Sequence, residues 1–421
     1  YKGKQPILGR TKKFRKNIIN RIVVNRANEI VSFKTGYLMG EPVQYVSRGD
    51  DVKADLINTL NDFMFVEDKA SKDKELADWM HICGTAFRMV MPNKEYREES
   101  GDSPFHLYNL DPRYTFVIYS NDLGEKPVLG VKYVLNNDGD IVYSCYTEKE
   151  YFEIVNGVIT KREKHSIGMI PIVEYPANKA RLGAFEIVLS LLDAIDTTVS
   201  NRIDGVEQFV QALMVFKGVD IEADDFDKLR ELGAIKVPEN GDVTYLIQEL
   251  NQTQTQTLID DMYQTVLTIC GMPSTGNGTT SDSSNNGAVI LRNGWQSAEA
   301  RAKDTELMFK RSEKDMLRIA MKIARDKIGF FVRLVDIEIR FTRRNYENIQ
   351  TKAQVLIQLL SNPKIHPRTA FEYSGMFVDP ELAYTDGMAY YEQYMAEQEK
   401  VLASAVVANT QASAKEADDV E

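Results

Sequence analysis

Hydrophobic positions along this chain switch between two periods, and the switches mark its elements. In FRKNIINRIVVNRANEIVSFKTGYLM (14–39), Ile18, Ile22, Ala27, Ile30, Val31 and Phe33 share one broad helical face; Gly36, Gly40 and Pro42 end it. PVQYVSRG follows as a strand, and 52–66 and 72–84 read as helices. TAFRMVMP (85–92) then reads as a strand, and 105–122 as two strands about a turn at Asp111-Pro112. Residues 130–160 form a run of hairpins turned at Asn-Asp-Gly-Asp and Asn-Gly. The tyrosines and phenylalanines of this run are packing residues of a half-buried sheet.

The second half is mostly helical in period. A long helix runs from Gly183 to about Val215, AIKVP and DVTYLIQELN are strands, and 255–273 is a helix stopped by Gly271 and Pro273. STGNGTTSDSSNNG (274–287) is a polar, low-complexity tract expected to be flexible. A helix over roughly 290–327 follows, on the order of 55 Å long at ~1.5 Å per residue. Ala298, Ala302, Thr305, Phe309, Ser312, Met316, Ala320 and Ile323 line one side of it, small enough for close approach to a neighbouring helix. FFVRLVDIEIRF then alternates, with Val335, Ile337, Ile339 and Phe341 on one face. Helices are predicted at 349–361, from Pro367 onward, and over 381–407, and TQASAKEADDVE is expected to be a disordered tail.

Composition narrows the class. With 43% hydrophobic and 27% charged residues among 421, the chain suits a soluble folded protein of two or three domains or one elaborate one. No apolar run approaches the ~20 residues that span a bilayer. The basic start YKGKQPILGRTKKFRKN has no apolar segment after it, so it is not read as a signal peptide, and a chain beginning at Tyr1 is expected to have lost its natural first residues. Cys83, Cys145 and Cys270 are far apart and odd in number, which suggests neither a disulfide framework nor a metal site. The net charge of −11 excludes a protein that clamps nucleic acid with its whole surface.

Patterns for catalysis are missing. The glycines of GNGTTSDSSNNG are not followed by the Gly-Lys-Ser/Thr of a phosphate loop. No H-E-x-x-H, Gly-x-Ser-x-Gly or EF-hand pattern occurs. His81, His106, His165 and His366 are scattered. EADDFD (222–227) reads as a solvated helix start, where carboxylates complement the dipole. No catalytic residue, metal ligand or cofactor is assigned.

The order of elements carries a resemblance. LLDAIDTTVSNRIDGVEQFVQALMVFKGVD (191–220) is a long helix feeding a strand. YLIQELNQTQTQTLIDDMYQTVLTICGMP and the polar tract with NNGAVI open the long helix. A strand at 333–342, a second helix and LLSNPKIHPRTAFEYSGMFVDPELAYTDG (359–387) follow. This succession, over roughly 185–390, resembles the portal (head–tail connector) proteins of tailed double-stranded DNA phages, the type found in siphophages. IVVNRANEIVSFKTGYLMGEPVQY resembles the start of the same family.

The resemblance implies an α+β fold in a ring of about twelve subunits around a channel. It implies a mixed α/β wing (1–290, including the flexible tract 274–287), a first stem helix (291–326), a small β-containing clip (327–345) and a second stem helix (346–361). A tunnel loop of Asn362, Pro363, Lys364, Ile365 and His366 and a helical crown with the C-terminal tail (367–421) complete it. A short strand isolated between helices is not stable alone, so the strand at 333–342 is expected to pair with neighbouring subunits. The implied partners are other copies of the chain, duplex DNA passing without sequence specificity, the terminase large subunit, a head–tail adaptor, and the major capsid and scaffolding proteins. No membrane partner is implied. The implied location is the portal vertex of the virion, and the host cytoplasm during assembly.

Charge adds candidates for the channel. From Arg292 to Lys327 there are ten Lys or Arg against six Asp or Glu, a net +4. Lys310, Arg311, Lys314, Arg318, Lys322, Arg325, Arg340, Arg343 and Arg344 are the candidate stem and clip cations; phosphate contacts by such residues are blind to sequence. The alternative is a minor capsid or tail-hub protein with a helix–strand–helix insert. A nuclease or NTPase would need a metal or phosphate site that the sequence does not offer.

Overall fold

The computed structural model describes residues 1–421 except 14–15, 49–53, 98, 100, 211–212, 218–241, 247–251, 275–293, 344–348, 378–379 and 419–421. Its centre is a three-stranded antiparallel sheet in the order β3 (Phe105–Leu110), β2 (Thr85–Pro92), β9 (Ile172–Pro176). Alternation along β2 sends Ala86, Arg88 and Val90 to one face and Phe87 and Met89 to the other. The first face is covered by helices α1 (Arg26–Leu38), α2 (Ala54–Val66) and α3 (Lys69–Cys83), and by the long α6 (Trp295–Ile328). The second face meets a five-stranded antiparallel meander, β4 (Thr115–Tyr119), β5 (Pro127–Leu135), β6 (Ile141–Tyr146), β7 (Glu150–Val155) and β8 (Val158–Lys164). The two sheets come close at Gly130, where a Cβ would lie 3.0 Å from Ile170 and Ile172.

The long helix forms because 295–328 contains neither Gly nor Pro and is rich in Ala, Leu, Met, Glu, Lys and Arg. Gly294 precedes it and Gly329 ends it in the left-handed conformation, with Arg325 and Lys327 complementing the dipole of the last turn. The small and apolar stripe read from the sequence is its packing face. Phe309, Met316 and Ala320 are fully buried and Ala298, Ser312 and Ile323 nearly so. They pack against residues of their own chain: Tyr45, Leu76, Ala77, Met80, Ala86, Val90 and Tyr175 belong to the same core. The helix expected over 291–326 as the first stem helix thus packs against α1, α3 and the central sheet as the spine of the body.

One acid of that spine is fully enclosed. Glu313 is fully buried and accepts hydrogen bonds from the phenols of Tyr45 and Tyr175 (2.7 Å for the latter). Lys69 Nζ lies 2.8 Å from Glu313 and also pairs with Asp73, while Arg88 Nη1 lies 2.7 Å from Asp73. Two cations and two anions therefore balance without water. Burial pushes the Glu313 carboxyl up, but Lys69, Arg88 and the hydrogen bonds hold it below its usual range, so it stays ionised. Burial, followed by the Glu313 charge, raises both phenols.

Three expectations are corrected. The strand near 337 is short, β12 (Ile337–Arg340), and Val335 is exposed in a 3-10 turn before it. β12 pairs antiparallel with β1 (Gln44–Ser47) of the same chain, Tyr45 opposite Ile339, so it does not depend on a neighbouring subunit for a partner. The helix expected over 14–39 begins only at Arg26, and the described residues from Ile18 to Asn25 run without helix. Its β-branched run Ile18, Ile19, Ile22, Val23 and Val24 favours extended backbone. The tail expected to be disordered belongs to a helix, α9 (Pro380–Asp418). AIKVP and EADDFD lie outside the described residues.

A second core joins α1 to α4 (Leu189–Val210) and α5 (Gln252–Cys270) through Ala27, Ile30, Leu192, Ile195, Val266, Leu267 and Cys270. The remaining helices, α7 (Ile349–Leu360) and α8 (Pro367–Ser374), form a helical hairpin that continues into α9.

Replacing Glu313 with Ala leaves two buried cations facing one carboxylate, and the expected loss is about 3–5 kcal/mol in urea unfolding. A loss below about 1 kcal/mol would show that the network does not secure the helix. His81, buried between α3 and α1 with Nδ1 3.1 Å from Thr35 Oγ1, is pushed down to about 3 by burial and by the Lys34 charge. The unfolded chain takes up that proton near the ordinary 6.5, so stability is full above pH 6.5 and falls as pH drops toward 3. Thermal melts from pH 7.5 to 4.5 are expected to show this fall, and His81→Gln to flatten its upper part.

Candidate functional site

The candidate tunnel loop is a tight turn between α7 and α8. Ile365 N donates to Asn362 O (3.0 Å), Lys364 N to Asn362 Oδ1 (3.1 Å), and His366 Nδ1 caps α8 by accepting from Arg368 N (3.2 Å). Pro363, Lys364 and His366 are exposed. The backbone spends its hydrogen bonds on closing the turn.

Most of the candidate cations are paired within the chain. Lys310 holds Glu306 at 2.6 Å, Arg318 pairs with Asp315, and Lys322 with Asp326. Arg325 lies 3.7 Å from Asp326, and Arg340 3.2 Å from Glu338. Arg343 bridges Glu299 (2.9 Å) and Glu306 (2.6 Å) on the wall of a cleft of about 370 Å³ between α6, the end of β12 and the start of the α7–α8 unit. Burial raises the Glu299 carboxyl, but Arg343 and the Tyr37 hydroxyl hold it below its usual range. Arg311 and Lys314 are exposed and make no ion pair among the described residues. Arg344 lies outside the described residues.

A different part of the chain has the geometry of a projecting arm. The first half of α4 and the last half of α5 are buried in the second core, so the two helices run antiparallel and their other ends leave the body. Arg202 of α4 reaches Gln252 and Gln256 of α5. Beyond them β10 (Leu213–Lys217) and β11 (Asp242–Leu246) pair antiparallel at the tip. Glu207, Asp260 and Asp261 are exposed on the arm.

The extended N-terminal segment lies along α4. Backbone N–H groups of Asn20, Ile22 and Val24 donate to Asp204 Oδ1 (2.7 Å), Ser200 Oγ (2.9 Å) and Asp196 Oδ1 (2.9 Å). Two extended residues advance ~6.6 Å and four helical residues ~6.0 Å, so alternate amides of a strand match every fourth residue of a helix. The rising numbers on one side and falling numbers on the other make the strap antiparallel to α4. Asp196, Ser200 and Asp204 are each at most 2% exposed, and Arg10 (3.0 Å) and Lys12 (2.5 Å) close on the Asp204 carboxylate. Burial pushes Asp204 up, but the hydrogen bonds from Lys12 and Asn20 and the Lys12 charge bring it below its usual range; Asp196, with one amide donor and no cation, is raised by burial.

Sequence reasoning missed this ladder. Its signal was present: three polar residues four apart on an apolar helix face, and an acid-free N-terminal segment to oppose them. Among the described residues, no group of three or more His, Cys, Asp or Glu is placed to hold a metal ion, and no helix is long and apolar enough to cross a membrane.

A mixed α/β body with a projecting two-helix arm and a strand-bearing tip is the anatomy of a structural subunit built to assemble. The chain matches the model of the family described as phage portal protein, SPP1 Gp6-like, over residues 1–403, and it belongs to that family. The portal protein of Bacillus phage SPP1 is 22% identical to it over 380 residues, which cover 83% of this chain and 72% of that protein. A solved chain from the neck of an empty GTA particle, computed with C6 symmetry, is similar at a TM-score of 0.43 and 11% identity, covering 83% of this chain and 90% of that one. Family membership decides for a portal over a minor capsid or tail-hub protein.

Asp204→Ala removes the acceptor of Asn20 and the partner of Arg10 and Lys12. Hydrogen exchange at Asn20, Ile22 and Val24 is expected to accelerate at least about tenfold, the equivalent of ~1.4 kcal/mol, while α6 amides stay protected. Equal exchange in both proteins would mean that the ladder does not hold the strap.

Proposed function

We propose that this chain forms the ring-shaped channel at one capsid vertex through which double-stranded DNA is packaged and later ejected. Copies of the chain make a closed ring, of about twelve subunits as the family resemblance implies. The terminase large subunit docks on it during packaging and a head–tail adaptor afterwards; the major capsid and scaffolding proteins surround it. It acts at the portal vertex of the virion and assembles in the host cytoplasm. The chain supplies a conduit without covalent chemistry, and the ATPase that moves DNA is a separate subunit.

The observation that carries this reading is the α4–α5 arm. A stem of two helices with a strand-bearing clip between them has two candidates in this sequence. The stretch 291–361 offers α6 and α7, but α6 is enclosed by its own chain's core. The stretch 189–270 offers α4 and α5, packed on each other, leaving the body together and joined through the β10–β11 ladder. We therefore assign the stem to α4 and α5 and the clip to residues 211–251. Exposed carboxylates on the arm suit passage, because a wall that neutralised many phosphates would hold DNA in place.

Negative-stain class averages of the purified chain are expected to show rings with a central hole; monomers at micromolar concentration would count against the reading. Replacing residues 213–246 with a short Gly-Ser link is expected to preserve the ring and abolish motor docking. Docking at the level of the unaltered ring would refute the clip assignment.

A further inference from the structure

Charge is segregated along this chain more sharply than its total suggests. Residues 1–28 contain nine Lys or Arg and no Asp or Glu. With −11 overall and +9 in this segment, the remaining residues carry −20. Within it, the amides of Asn20, Ile22 and Val24 are bonded to Asp204, Ser200 and Asp196 of α4, and the Ile7 and Ile18 side chains are buried.

The nine cations divide by role. Arg10 and Lys12 neutralise Asp204, Arg26 pairs with Glu29 and lies over the Tyr263 ring, and Arg15 lies outside the described residues. Lys2 lies near Asp111 and helps to lower that carboxyl. Lys4, Lys13, Lys16 and Arg21 are exposed and make no ion pair with a carboxylate among the described residues; Arg21 donates only to the carbonyl of Arg10 (3.2 and 3.1 Å). The contrast with α6 is chemical. There the candidate cations are largely cancelled by carboxylates one turn away, whereas the strap has none of its own to cancel them.

We propose that Lys4, Lys13, Lys16 and Arg21 form a binding strip for the phosphodiester backbone of duplex DNA, presented beside the stem by the strap on α4. The inference rests on the reading of the chain as a DNA conduit. The strap supplies what the arm lacks. Asp204, which would repel a phosphate, is covered by Arg10 and Lys12, and the outward cations give a local attraction beside the exposed carboxylates of α4 and α5. Around Arg21 the backbone is already bonded to α4, so binding does not have to order that stretch first. Lysines as point charges and amides already spent on α4 give contact without sequence readout.

The test uses the full chain and a 30-base-pair duplex of arbitrary sequence, with fluorescence anisotropy across a salt series. Four Gln substitutions at Lys4, Lys13, Lys16 and Arg21 are expected to weaken binding at low salt by at least about tenfold. They are also expected to reduce the slope of log K against log salt by about 2–4, each phosphate contact contributing ~0.9. Gln at four other exposed lysines, Lys94, Lys126, Lys179 and Lys303, is expected to change the slope by less than one. Negative-stain images and melting curves of both variants report assembly and folding separately. Rings that bind DNA with an unchanged slope after the strap substitutions overturn this assignment and leave the conduit reading intact. An equal loss with the control lysines, or no measurable binding by the unaltered chain at low salt, also overturns it. Failure of the unaltered chain to form rings counts against the conduit reading itself.

Discussion

The buried set of Lys69, Asp73, Arg88 and Glu313 governs how the body is put together. An ionised carboxylate in the middle of a long helix is costly to bury, and it is tolerated only where its partners are fixed. Here they come from α3, β1, β2 and β9, so one charge on α6 demands that four other elements sit in register with it. Apolar packing along the helix supplies the attraction, and the network specifies which turn of the helix meets which strand. Tyr45 carries the constraint further, because it also lies in β1 opposite Ile339 and so sets the β1–β12 ladder.

From that anchored spine the rest of the molecule extends outward. The body closes around α6 on the sheet side, and the second core ties α1 to the bases of α4 and α5. The arm therefore has a rigid root and a free end, the arrangement needed if many copies are to place equivalent helices around an axis. Its outer length carries no large apolar face from the central core; polar contacts to α5 and to the strap accompany it instead. The N-terminal strap and α4 form a matched pair of periods, two residues against four. This match turns an otherwise unsupported extended segment into an ordered one.

These features bring the family assignment and the geometry together. A portal has to be stiff enough to bear on a motor and permissive enough to let a polyanion pass. In this chain a core spine with internally neutralised charge supplies the stiffness, and the arm carries exposed carboxylates. The N-terminal segment, by contrast, carries cations and no acid of its own.

Periodicity by itself determined most of the body strands, the hairpins and the existence of the long helices, because side-chain burial on one face imposes a period of two or 3.6 wherever an element forms; it missed β9 and the outer ends of α1 and α9. The order of those elements also carried the family, which the match over residues 1–403 shows. What faces what was decided only by the tertiary structure. The stripe on α6 was readable as a packing face, yet whether its partner was a neighbouring subunit or its own sheet depended on contacts between residues more than a hundred positions apart, such as Tyr175 with Glu313. The segment before Arg26 has helical spacing and β-branched composition together, and the carboxylates of a distant helix resolved that tie in favour of extended chain. The cations of α6 looked available because sequence lists charges without their distances; in the fold, acids one turn away on the same helix occupy most of the candidates. Local pattern is set by burial of one residue against its neighbours, while the site depends on long-range proximity, which a linear sequence does not encode in any fixed spacing.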